Sequence, residues 1–90
     1  MNDLAESLRI DKWLWHARFC KTRVIAQAKA EAGHIRINGH RVEKASAAVR
    51  IGDVMTLPVS GKVMALRVLE LGLRRGPAQE ARTLYEVLPE

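Results

Sequence analysis

The chain has 90 residues, 48% of them apolar, and a formal net charge of +5. A chain of that length buries only about 60–65% of its unfolded surface, which allows one small core and leaves no room for a separate catalytic domain. No apolar run approaches the roughly 18 residues of a membrane span, and a lone cysteine, Cys20, excludes an internal disulfide and suits a reducing cytoplasm.

Residues 1–8 (MNDLAESL) lack a basic n-region and an apolar h-region, so no secretory signal is visible; they read as a flexible leader. A first helix is predicted to begin between Arg9 and Asp11. At 100° per residue, Ile10, Trp13, Leu14 and Ala17 share its inward side, while Lys12, Trp15 and Phe19 fall elsewhere. Trp15 is either a stacking platform for a base or ribose or a residue packed beneath the C-terminal segment. Thr22 is a good N-cap for a second, alanine-rich helix over residues 23–32, which Gly33 stops. Its buried stripe is either Ile25, Ala26 and Ala30 or Val24, Ala28 and Ala32.

From His34 the period changes to two. Ile35 and Ile37 point one way and His34 and Arg36 the other, and Asn38-Gly39 signals a type I′ hairpin before Arg41 and Val42. Gly52-Asp53 marks a second turn within residues 49–57, and Ser60-Gly61 leads to a third strand over residues 62–71. Residues 74–77 (Arg-Arg-Gly-Pro) break the sheet, and residues 78–84 form one or two helical turns. This gives three parts: a leader at 1–8, a folded domain at 9–71, and a segment at 72–90 packing on it.

Charge is uneven along the chain. Residues 1–50 hold ten basic and five acidic residues, whereas residues 51–90 hold five of each, so a polyanion would meet the first half. Segment 9–38 alone has seven basic residues against two acidic ones. Lys21, Thr22 and Arg23 sit where the second helix starts, so two cations, a hydroxyl and free N–H groups would converge on one phosphate. The hairpin adds His34, Arg36, Asn38 and Arg41, with Lys44 just beyond. Such cations suit tracking of a folded RNA backbone more than the reading of bases. The plainer alternative is a basic, solvated face. Cys20 reads as a small apolar residue at a helix end, and His16, His34 and His40 lack the companions of a metal site.

The blocks Arg9-Ile-Asp-Lys-Trp-Leu-Trp15, Ala17-Arg-Phe19, Lys21-Thr-Arg23, Ala26, Gly33-His-Ile-Arg-Ile-Asn-Gly39, Val42, Lys44, Ser46, Val49 and Gly52-Asp53 together resemble the S4 RNA-binding domain. Within it, the Asp-Lys-Trp-Leu-Trp and Ala-Arg-Phe blocks, Arg74-Arg-Gly-Pro-Ala78 and Leu84-Tyr-Glu86 are similar to the ribosome-associated heat shock protein 15 family; the resemblance covers roughly residues 9–86. It implies an α+β fold, with two N-terminal helices packed on a small, mainly antiparallel sheet. It also implies a bacterial stress-response protein that binds ribosomal RNA and tRNA on large subunits obstructed by peptidyl-tRNA, assisting rescue, recycling or nascent-chain quality control. No catalysis, cofactor, metal, membrane or small-molecule substrate is expected, and the protein is expected to be a monomer. The implied RNA-binding set is Arg9, Lys12, Arg18, Lys21, Thr22, Arg23, Gln27, His34, Arg36, Asn38, Arg41 and Lys44. Some family members continue into a long basic helical tail, whereas this sequence ends at Glu90, as a short-form member or a trimmed chain would. Ala30 stands where the family pattern favours a larger aliphatic residue.

Three other functions compete. Arg9-Ile10-Asp11 resembles the Arg-Leu-Asp signature of pseudouridine synthases, but three residues are a weak motif, and Asp11 has a plainer role as a carboxylate meeting a helix dipole. Two helices joined by a short turn suggest a DNA-binding helix-turn-helix; comparing affinity for structured RNA with that for duplex DNA separates the two. A pure protein-interaction domain leaves the net +7 of residues 9–50 unexplained.

Overall fold

Local sequence rules set most element ends in the computed structural model, which describes residues 6–89. Strand β1 (Leu8–Arg9) runs directly into helix α1 (Ile10–His16), whose Ile10, Trp13 and Leu14 are buried with Ala17, the stripe given by the helical wheel. Of the leader expected over residues 1–8, the first five lie outside the described residues, and Leu8 is paired in β1. Helix α1 has no side-chain cap. The N–H groups of Ile10 and Asp11 instead donate to the Ala47 and Ala45 carbonyls at 2.8 and 3.3 Å.

The end of α1 was not legible in the sequence. Arg18 N–H donates to Trp15 O (3.2 Å) and Phe19 N–H to Leu14 O (3.0 Å), a Schellman closure with Arg18 at φ 65 where glycine is usual. Because the chain reverses there, the helical wheel does not apply to Phe19. Its ring turns back to lie 6.1 Å from Trp13 and 4.9 Å from Tyr85, contacts worth about 0.5–1.5 kcal/mol each.

Helix α2 (Arg23–Glu31) starts at the expected cap, where Thr22 Oγ1 accepts from Ile25 N–H at 3.1 Å, and it closes with Gly33 at φ 85. Ala32 is its C-cap rather than its last helical residue. Of the two candidate stripes, Ala26 and Ala30 are fully buried, while Ile25 and Val24 face solvent. The small residue at Ala30 thus lies in the core that α2 shares with α1.

Strands β2 (Arg36–Ile37) and β3 (His40–Arg41) form the expected hairpin, with Asn38 at φ 52 and Gly39 at φ 83 as in a type I′ turn. Strand β4 (Ala48–Val49) pairs with β1 as a separate two-stranded sheet. Strands β5 (Val54–Val59) and β6 (Lys62–Val68) are the long antiparallel pair, joined by Ser60 (φ 52) and Gly61 (φ 80). The third strand stops at Val68 and not at Leu71, because the N–H groups of Leu69 and Glu70 turn to the Leu84 carbonyl at 2.8 and 3.2 Å. The expected break and helical turns follow as α3 (Ala78–Ala81) and a 3-10 turn (Arg82–Leu84). Strand β7 (Tyr85–Val87), which the sequence did not suggest, then pairs with β6.

The main sheet has the order β3-β2-β5-β6-β7, every pair antiparallel. This is the expected α+β architecture. One core joins Ile10, Trp13 and Leu14 of α1, Ala26 and Ala30 of α2, and Ile35, Val49, Met55, Leu57, Leu66 and Val68. Trp13 also ties the segment just after β6 to α1, its indole Nε1 donating to Glu70 O at 3.0 Å. No helix among the described residues is long and apolar enough to cross a membrane.

Candidate nucleic-acid interface

The strongest electrostatic feature is a buried carboxylate. Asp11, in the first turn of α1, is fully buried, and Arg9 grips it with two hydrogen bonds, Nε to Oδ1 at 3.1 Å and Nη2 to Oδ2 at 3.0 Å. From α2, Arg23 Nη2 reaches the same Oδ2 at 3.4 Å. Burial pushes the Asp11 carboxyl up, but hydrogen bonds from Arg9 and the Gln27 side chain, with the charges of Arg9 and Arg23, outweigh it and hold the carboxyl below its ordinary range. Three of the sequence-predicted RNA contacts, Arg9, Arg23 and Gln27, are therefore gathered around one acid. Both side chains remain partly open to solvent, 51% and 40% exposed, although the Nε of Arg23 is buried.

That arrangement changes the anion site expected at the start of α2. Lys21 and Thr22 are exposed there, but the Thr22 hydroxyl oxygen already accepts from Ile25 N–H, and Arg23 leans toward Asp11. Lys21 and the half-buried Lys12 make no hydrogen bond or ion pair among the described residues, so their ammonium groups are available to an external anion.

On the hairpin, Arg36 and Arg41 are direct cross-strand partners and project from the same sheet face, a like-charge pairing that is unfavourable in isolation. Arg36 Nη1 lies 3.4 Å from Gly39 O, while the Arg41 guanidinium lies against the Cα of Gly33, where a β-carbon would stand 2.7 Å from its Nη2. Arg41 and Lys44 line an open groove of about 640 Å³ together with His40 and Arg50. His40 and Arg50 were not singled out from the sequence. Arg50 stands just before the Gly52-Asp53 turn, and that turn brings it beside the hairpin. Asn38 also lines this groove, but its side chain is engaged by the fold: Oδ1 accepts from Val54 N–H at 2.9 Å and Nδ2 donates to Asp53 at 3.0 Å. His34 lies elsewhere, in an apolar groove beside Ile25, Ala28 and Pro58.

Arg18 forms a further group with the C-terminal segment, its Nε donating to Gly76 O at 2.7 Å. Beside it, the Arg75 guanidinium stands 5.9 Å from the centre of the half-buried Trp15 ring, a cation–π contact. Cys20 is buried, and burial pushes its thiol up, so it stays protonated and inert.

Residues 8–55 match the S4 domain family model. Heat shock protein 15 of Escherichia coli (strain K12) is 40% identical over 86 residues, which cover 96% of this chain and 64% of that protein. The RQC P-site tRNA stabilizing factor of Bacillus subtilis (strain 168) is 36% identical over 83 residues, covering 92% of this chain and 94% of that one. The solved trimeric structure of Vibrio cholerae Heat Shock Protein 15 superposes with a TM-score of 0.85 at 38% identity, covering 92% of this chain and 83% of its own. The chain thus spans 61% and 64% of the length of the heat shock protein 15 relatives from Haemophilus influenzae and Escherichia coli, and nearly all of the Bacillus factor.

Proposed function

Because the chain belongs to the S4 domain family, we propose that it is a non-catalytic RNA-binding protein of the bacterial cytoplasm. Its target is ribosomal RNA and tRNA on large ribosomal subunits obstructed by peptidyl-tRNA, and its role is in rescue, recycling or nascent-chain quality control. The observation that carries RNA binding is the directly opposed Arg36 and Arg41 pair, with His40, Lys44 and Arg50 around the adjoining groove. Like charges held side by side by a backbone ladder repel, and an inserted phosphate backbone removes that repulsion while releasing condensed counterions. The ribosomal target is supported by the relatives, one of them named for stabilizing P-site tRNA. A fully buried Asp11 gripped by two arginines favours this reading over the pseudouridine synthase alternative.

A sedimentation profile of bacterial lysate tests this reading. The protein is expected to travel with free large subunits; its appearance only at the top of the gradient, at low and physiological salt alike, contradicts the proposal.

A further inference from the structure

Asp11 raises a question that RNA binding alone does not answer. A carboxylate beneath two cations weakens their attraction for phosphate, yet this one is fully buried and held by Arg9 on one side and Arg23 on the other. We propose that Asp11 is a positioning residue that fixes Arg9 and Arg23, from two different elements, as a preformed pair whose remaining guanidinium N–H groups receive RNA phosphate. This rests on the RNA-binding reading above.

The geometry supports it in three ways. The Arg9 fork is bound edge-on through Nε and Nη2, which fixes the plane of the guanidinium and leaves Nη1 pointing away from Asp11. Arg23 gives only Nη2 to Asp11 and its Nε is buried, so Nη1, which has no partner among the described residues, is the N–H group left for an external anion. Both side chains keep about half their surface open, so they are anchored at one edge and accessible at the other. A long side chain already held in its binding geometry loses less conformational freedom on docking than one free in solvent, a difference of about 3- to 10-fold in affinity for each side chain.

The two accounts of Asp11 differ in sign. If it only lowers the local potential, Asp11→Asn adds a unit of positive charge and binding to RNA tightens. If it positions the arginines, binding weakens although the protein has become more basic. Affinity for bulk bacterial tRNA at physiological salt is measured for the wild type, Asp11→Asn and Glu31→Gln, alongside their thermal melts. Glu31 is exposed and unpaired among the described residues, so Glu31→Gln is the charge control and is expected to bind as tightly as the wild type or more so. A folded Asp11→Asn that binds about 10-fold more weakly supports the proposal; equal or tighter binding overturns it. If Asp11→Asn does not melt cooperatively, the charge-conserving variants Arg9→Lys, Arg23→Lys and their combination decide. Coupling through Asp11 makes their effects non-additive, and additive effects overturn the proposal. A wild type that fails to bind tRNA or large subunits removes the RNA-binding reading itself.

Discussion

Arg23 contacts Asp11 on its inner side and, in the proposed binding mode, a phosphate on its outer side, and its replacement separates the two roles. Arg23→Ala is expected to lower the magnitude of the log–log salt slope of RNA binding by roughly 0.7–0.9, one phosphate contact. The melting temperature should fall only slightly, because Arg9 still satisfies both oxygens of the buried Asp11 and no buried charge is left unpaired. An unchanged slope with a large loss of stability would make Arg23 purely structural. Asp11 carries a pH signature of its own. Its folded-state carboxyl lies below the ordinary value of 3.8, so it contributes stability that is present above that pH and lost as pH falls through the lower folded value. The stability gap between wild type and Asp11→Asn should therefore be constant from neutral pH down to about 5 and close below about 4; a gap unchanged at pH 3 would contradict it. The pairing of Asp11 was hidden in the sequence because Arg9 is two residues away but Arg23 is twelve away, on another helix.

At the scale of elements, what was legible was local. The α1 stripe, the Thr22 cap and the Asn38-Gly39 turn each follow from a few consecutive residues, and all three appear where they were expected. The two-residue strands β1 and β4 carry no period of their own and exist only because Leu8 meets Val49 across the fold, so no local pattern announces them. Strand β7 is concealed for the same reason. It depends on α3 returning the chain to β6, where Tyr85 packs against Trp13 and Phe19. The hairpin provides the test at this scale. Gly39 has open space around the position of a β-carbon, so the penalty of Gly39→Val is conformational rather than steric contact with neighbours. A β-branched residue at φ 83 is expected to lower stability by about 1–2 kcal/mol or more and to weaken RNA binding through Arg36 and Arg41. Survival of both the melting temperature and the affinity would dissociate the hairpin from binding. Arg18→Gly tests the other end of α1. Relief of the left-handed backbone, about 1–2 kcal/mol, is partly offset by the added freedom of glycine in the unfolded chain, about 0.5–1 kcal/mol, and the lost charged bond to Gly76, about 1.5–3 kcal/mol, outweighs the remainder, so the melting temperature should fall.

Across the whole molecule, the two halves of the chain divide the work. Residues 1–50 carry the excess of positive charge and form α1, α2 and the hairpin, while the electroneutral residues 51–90 supply most of the sheet and the segment that packs against Trp13 and Arg18. The charge division was plain from composition. Its spatial consequence was not, because the cations separate into an Asp11-centred group, a hairpin groove and an Arg18–Arg75 edge only after the chain has folded. Several basic groups on one small body suit two polyanions presented side by side, where joint binding exceeds either alone. The most direct measurement is a pelleting assay with purified large ribosomal subunits, with and without peptidyl-tRNA, at physiological salt. The account predicts tighter binding to the subunits that carry peptidyl-tRNA, and equal binding to both would contradict it.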